Sequence, residues 1–200
     1  MKTFTIIAGV NGVGKSGFLG ARTNLEQDEL RIDADKIAAE YNISNIGAGK
    51  IALKKINEAI KSGESFTQET TLSSHQIVKT IQKAKENGYF IILYYIGIDT
   101  LEDILSRIEN RVKHGGHNIP KSDVVRRLHK QKEKLKEVIP LVNLTIFCDN
   151  SNIYNQFARY YKNGYLGGIK TENKWIKVYP NFGNLPKWFE ALELNAKFDN

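Results

Sequence analysis

Cysteine is almost absent. Cys148 stands alone among 200 residues, which excludes an internal disulfide and any zinc site built from cysteine clusters, and suits a reducing compartment. Histidine is equally sparse: His75, His114, His117 and His129 lack the compact spacing that puts metal ligands on one element, so histidine-held metal catalysis is not expected. No nucleophilic triad is apparent, and there is no internal repeat or low-complexity segment. Long hydrophobic runs are also missing. Nothing approaches the roughly 18 apolar residues needed to span a bilayer. The short apolar run at 4–10 has no cleavage site and leads straight into a glycine-rich loop, unlike a signal peptide. The expectation is a soluble, cytoplasmic protein with no membrane partner.

Acidic residues are in deficit, with 22 Asp and Glu against 29 Lys and Arg, a net charge of +7 and a pI near 9.3. Such a balance favours anionic partners: a nucleotide, a phosphorylated small molecule or a nucleic acid. The excess is densest at 107–136, although the lysines at 130–136 also fit a solvated helix face. With 41% hydrophobic residues, the chain can bury one full-sized core.

Hydrophobic periodicity gives an alternating pattern. Short β-branched or aromatic runs at 3–9, 30–32, 65–69, 89–98 and 144–148 read as strands. Segments at 15–22, 36–41, 47–62, 73–87, 101–113 and 122–138 read as helices, two of them closing on Gly63 and Gly88. The 89–98 run is continuously apolar, as in a strand covered on both faces. This alternation predicts a three-layer α/β fold with a parallel sheet, of the P-loop NTPase, nucleoside-monophosphate-kinase-like type. The expected core is 1–150, with a lid at about 107–127. A C-terminal extension at 151–200 would contain a helix at 153–162, a hairpin from 164–170 and 174–179, and a terminal helix at 185–195. Trp175 and Trp188 are scattered among many tyrosines, a pattern commoner in core packing than in base stacking.

The segment Gly9-Val10-Asn11-Gly12-Val13-Gly14-Lys15-Ser16 matches G-x-x-x-x-G-K-[ST] between a strand and a helix, the context that gives this motif its meaning. Glycines let backbone N–H groups turn toward phosphate oxygens, and the following helix adds its dipole. Lys15 would bridge the β- and γ-phosphates and Ser16 would offer its hydroxyl to Mg²⁺. Gly9, Asn11, Gly12, Val13, Gly14, Lys15, Ser16 and Gly17 are therefore the candidate contacts for ATP or GTP.

Asp33 and Asp35 end the second strand, on the side where open α/β sheets bind ligands. Asp35 is the candidate base for an acceptor hydroxyl and Asp33 its support; either can instead cap the next helix. Glu69 and Thr71 close the third strand as candidate substrate contacts, though threonines also serve strand-end turns. Arg107 and Arg111 lie one helical turn apart and share a face. Arg126 and Arg127 follow a Gly115-Gly116-His117 loop. This spacing resembles a lid that delivers arginines over a triphosphate, with Arg111 in a catalytic role and Arg107 and Arg126 on the nucleotide. A surface ion pair is the alternative for each arginine. His117 could reach a phosphate or simply be exposed.

The P-loop, the Ile32-Asp33-Ala34-Asp35 strand end, Gln68-Glu69-Thr70-Thr71 and the run from Arg111 through Gly115-Gly116-His117 to Pro120, followed by Arg126-Arg127, together resemble the zeta-toxin-like P-loop kinases. The likeness is to their small stand-alone branch and covers about residues 1–150. It implies that Lys15 binds ATP or GTP, that Asp35 is the catalytic base, and that Glu69 with Thr71 binds substrate. It further implies phosphorylation of a UDP-sugar such as UDP-N-acetylglucosamine at the sugar 3′-hydroxyl, and restraint by a small antitoxin.

The reading is thus a kinase that moves the γ-phosphoryl group of ATP or GTP to a hydroxyl of a small acceptor. Two alternatives stand beside it: a nucleotide hydrolase or switch without an acceptor, and a nucleotide-regulated nucleic-acid-binding protein using the basic stretch 107–136. The second lacks a recognisable nucleic-acid motif.

Overall fold

Strand β1 (Thr3–Ala8) occupies the middle of the sheet because its side chains are apolar toward both faces. Phe4, Ile6 and Ala8 enter one core cluster and Ile7 enters the other. The computed structural model describes residues 1–21, 30–116, 118–151, 165–171, 174–176, 186–193 and 198–199. The helix expected at 153–162 lies outside these residues, as do parts of the expected hairpin and terminal helix.

The described elements follow β1 as α1 (Lys15–Ala21), β2 (Leu30–Asp33), α2 (Ala34–Tyr41), α3 (Asn45–Ser62), β3 (Phe66–Thr70), α4 (Gln76–Glu86), β4 (Phe90–Gly97), α5 (Leu101–Lys113), α6 (Lys121–Val138), a 3-10 turn (Ile139–Leu141) and β5 (Leu144–Asp149). Strands β2, β3, β1, β4 and β5 lie side by side in that order, all parallel. The order reverses at β1, so the crevice beyond its carboxyl end lies between β3 and β4. Register brings the ends together: Ile7 stands beside Glu69 and Tyr94, and Asp33 beside Glu69.

Beyond β5 the sheet continues through β6 (Tyr165–Thr171) and β7 (Lys174–Ile176), which pair antiparallel, to β8 (Phe198–Asp199). Helix α7 covers only Lys187–Glu190, shorter than the expected 185–195. The chain leaves helical geometry at Glu193, whose φ is 50°. Helix α4 likewise starts at Gln76 rather than 73. The preceding residues form a turn in which Leu72 is fully buried at φ 56°, with its N–H donating to Thr70 Oγ1. A bulky residue in the left-handed region is uncommon and costs conformational energy.

Alternation sorts the central side chains between two clusters. Ile91, Leu93 and Tyr95 of β4 join the cluster with α2, α3 and α4, whereas Tyr94 and Ile96 join α5. Helix α6 serves both, through Val124 in one and Leu135 and Val138 in the other. Phe66 stacks on Phe4 with ring centroids 4.4 Å apart and meets Tyr89 edge-on at 5.7 Å. Because Phe66 is completely buried, Phe66→Ala is expected to destabilise the fold by about 3–5 kcal/mol, measured as a fall in the urea unfolding midpoint at unchanged slope.

Candidate functional site

The glycine-rich loop leaves β1 at Gly9, whose N–H donates to Thr70 O at 3.3 Å. It then turns back into α1 through Gly12 and Gly14, with φ of 89° and 94°. A Cβ at Gly12 would stand 2.8 Å from Ile104 O, and one at Gly14 would stand 2.6 Å from Asn150 Nδ2. Both the backbone geometry and the space therefore require glycine there. Val10 and Val13 are buried in the α5 cluster, so the loop is anchored from beneath by its apolar positions.

Lys15 is only 6% exposed. Its ammonium donates to Val10 O at 3.2 Å and lies 3.9 Å from Glu69 Oε1. Burial pulls the Lys15 pKa down, against the fields of Glu69, Asp35 and Asp33, while Arg111 adds a smaller push in the direction of burial. Burial likewise pushes Glu69 up, opposed by Lys15. Ser16 Oγ donates to both Glu69 oxygens, at 3.1 and 3.3 Å. The Ser16 hydroxyl and the Glu69 carboxylate are hard oxygen donors of the kind Mg²⁺ takes alongside nucleotide phosphates, so these residues fit that ion.

Asp35 Oδ2 accepts from Asn11 Nδ2 at 3.2 Å, and Asn11 Oδ1 in turn accepts from Arg127 Nη1. Asp35 stands in the first turn of α2 rather than at the end of β2, where the sequence reading put it, and one amide thus joins this carboxylate to an α6 arginine from within the phosphate loop. Asp33 caps α2: its Oδ1 accepts from the N–H groups of Asp35 at 2.9 Å and Lys36 at 3.3 Å. Burial pushes the Asp33 carboxyl above its ordinary range despite these bonds, and neighbouring Asp35 adds to the effect. Thr71 Oγ1 bonds Ser73 Oγ at 2.9 Å, in the turn after β3.

The arginines divide. Arg107 Nη2 donates to Asn150 O at 2.7 Å, and burial lowers its pKa. Arg111 lies close enough for Lys15 to feel its charge. Beside it the chain closes α5 in a tight turn, with Gly116 N–H donating to Arg111 O at 2.9 Å. Arg126 instead pairs with Asp123 at 2.7 Å on its own exposed helix face, while Arg127 reaches Asn11. The arrangement therefore brings Arg127 to the loop rather than Arg126. His117 lies outside the described residues.

Two further residues hold the loop. Gln131, with its amide oxygen toward the loop, accepts from Gly9 N–H at 3.2 Å and Val10 N–H at 3.3 Å. Asn150 Nδ2 donates to Val13 O at 2.8 Å. Gln131 lies one turn from Arg127 on α6, a spacing visible in the sequence; no local pattern marks Asn150. Lys134, in the stretch read as a solvated face, is buried against His75 Nδ1 at 2.9 Å and Glu137.

The raised Asp33 pKa fixes a sign. The folded state holds the Asp33 proton more tightly than the unfolded chain, so this group costs stability above its folded pKa, and the cost disappears as pH falls below its unfolded value. Asparagine caps a helix as well as aspartate. Asp33→Asn is accordingly expected to raise the melting temperature at pH 7, with the gain vanishing below the ordinary aspartate range; a gain independent of pH in thermal melts would contradict this origin.

Among the described residues no helix is long and apolar enough to cross a membrane. A curated protein of Haemophilus influenzae, described only as uncharacterized, is 40% identical over 123 residues, which are 59% of this chain and 86% of that protein. Solved structures that share the fold include the following three. One, from work on the PezAT chromosomal toxin-antitoxin system of Streptococcus pneumoniae, has TM-score 0.58 and 14% identity, covering 96% of this chain and 85% of that one. A putative kinase of Chloroflexus aurantiacus has TM-score 0.57 and 14% identity, covering 78% and 91%. The complex AvrRxo1-ORF1:-ORF2 with ATP has TM-score 0.63 and 14% identity, covering 98% and 64%. The family model described as Zeta toxin matches residues 1–159, and with these P-loop kinase folds it supports a nucleotide-binding kinase. The chain belongs to the zeta toxin family.

Proposed function

We propose that this chain transfers the γ-phosphoryl group of ATP or GTP to a hydroxyl of a small acceptor, with a UDP-sugar such as UDP-N-acetylglucosamine as the leading candidate. The observation that carries the reading is the 3.2 Å bond between Asp35 and Asn11. It ties a carboxylate of the first turn of α2 to the phosphate loop, where a base must act on an acceptor held in line with the γ-phosphorus.

In this reading the loop N–H groups and Lys15 hold the phosphates. Ser16 and Glu69 would hold Mg²⁺, which would neutralise charge on the phosphate oxygens. Asp35 takes the proton from the acceptor hydroxyl as its oxygen bonds to the γ-phosphorus. The bond from that phosphorus to the β–γ bridging oxygen breaks, leaving phosphorylated acceptor and nucleoside diphosphate. Arg111 and Arg127 offset charge on the transferred group, with Arg107 at the nucleotide side. Asp33 supports Asp35 through the α2 cap, and Glu69 and Thr71 border the acceptor. Residues 1–150 form the kinase core, 107–127 its lid and 151–200 an extension. A small antitoxin protein is the partner proposed from the toxin-antitoxin context of one structural relative, and the cytoplasm, where such nucleotides are made, is the proposed location.

Incubation with γ-labelled ATP, Mg²⁺ and a panel of UDP-sugars, sugars and nucleosides tests the proposal. Label is expected on one acceptor, with Asp35→Asn lowering kcat by about 100-fold or more at little change in nucleotide KM, and Lys15→Ala abolishing transfer. Label released only as inorganic phosphate, or full transfer by Asp35→Asn, would overturn it.

A further inference from the structure

Trp188 lies beyond residue 159, where the match to the family model ends, yet it is buried against the ends of β4 and β5. Its ring covers Gly97, the last residue of β4, where any Cβ would overlap the indole. The ring also packs at 5.5 Å from Tyr95 and meets Phe189 edge-on at 5.8 Å. Packing alone would account for an aromatic residue here. The indole makes a further, directional contact: Nε1–H donates to Asp149 Oδ1 at 2.7 Å, while the Trp188 backbone N–H donates to Asp99 Oδ1 at 3.0 Å.

Asp149 ends β5 and immediately precedes Asn150. Its Oδ1 also accepts from Ser151 Oγ at 2.6 Å and Ser151 N–H at 3.3 Å, and Ser151 Oγ accepts from Asp99 N–H at 3.0 Å. Residues on both sides of Asn150 are thereby tethered, and its own N–H donates to Gly97 O at 2.9 Å. The Asn150 side chain then donates to Val13 O at 2.8 Å, and the Asn150 backbone carbonyl accepts from Arg107. A trans peptide sets carbonyl and N–H on opposite edges. Pinning the Val13 carbonyl therefore also sets the direction of the Gly14 N–H, one of the loop donors. Asp149 is itself desolvated, which pushes its pKa up, so the indole donor supports a carboxylate that burial disfavours.

We infer that Trp188 is a positioning residue for the nucleotide loop, acting through Asp149 and Asn150, so that the C-terminal segment sets nucleotide affinity. The inference rests on nucleotide binding by the loop and not on the identity of the acceptor.

Trp188→Phe keeps a ring over Gly97 and removes only the indole donor. Loss of one hydrogen bond to a carboxylate predicts about fivefold weaker ATP binding, read by calorimetric titration and as a raised ATP KM with kcat within about twofold. Adding Trp188→Phe to Asn150→Ala should cost nothing beyond Asn150→Ala alone, since the path is already cut. Wild-type affinity in Trp188→Phe overturns the inference, whether or not the melting temperature falls, and so do additive losses in the double variant. Lys15→Ala separates the two levels. If wild type and Lys15→Ala fail to bind ATP alike, the nucleotide reading falls and takes this inference with it; if Lys15→Ala alone loses binding, only the Trp188 comparison is in question.

Discussion

The arrangement of the crevice depends on one buried cation. Lys15 gives up nearly all of its hydration at the start of α1, and an ammonium without water is tolerated only where acceptors and opposite charge replace it. Val10 O supplies the acceptor, and the fields of Glu69, Asp35 and Asp33 supply the charge. Those carboxylates come from the ends of β3 and β2 and the first turn of α2. The strand order β2-β3-β1 is thus what makes the loop electrostatically tenable. Burial in turn leaves Glu69 and Asp33 harder to ionise than they would be in water. The crevice is under electrostatic strain, which a metal ion beside Glu69 and phosphates at Lys15 would relieve.

Helix α6 has a second structural role. Its inward positions meet the loop at three levels: Val124 in the apolar cluster beneath it, Arg127 on Asn11, and Gln131 on the N–H groups of Gly9 and Val10. Farther along, Leu135 and Val138 enter the opposite cluster. One helix therefore couples both halves of the core to the phosphate loop. From the other side the loop is held by Asn150, and behind it by the β5 end and Trp188. The P-loop is clamped between an element before β5 and one after it.

Some of this was legible in residue order and some was not. The loop, α5 at 101–113 and the helix stops at Gly63 and Gly88 rest on local chemistry, and they fall where the sequence reading put them, with Gly63 and Gly88 both at positive φ. The turn at 71–75 was hidden, because Thr71, Ser73 and Ser74 fit a helix start as well as the Leu72 conformation observed. Arg126 and Arg127 are adjacent in sequence and point about 100° apart on a helix. Only the docking of α6 decides which of them faces the loop. Lys134 reads as one more lysine in a basic run, until α4 brings His75 against it.

What the sequence by itself determined is therefore the strand-and-helix alternation and the phosphate loop: both depend on conformational preferences within a few residues, positive φ at glycine above all. What the tertiary structure decided is partnership. Asn11 meets Asp35 across 24 residues and Arg127 across 116, and Trp188 meets Asp149 across 39. Such pairs follow from strand order and helix docking, which many sequence spacings satisfy equally well. The physical reason is that a hydrogen bond needs its two groups within about 3 Å, and only the packed sheet determines which distant groups come that close.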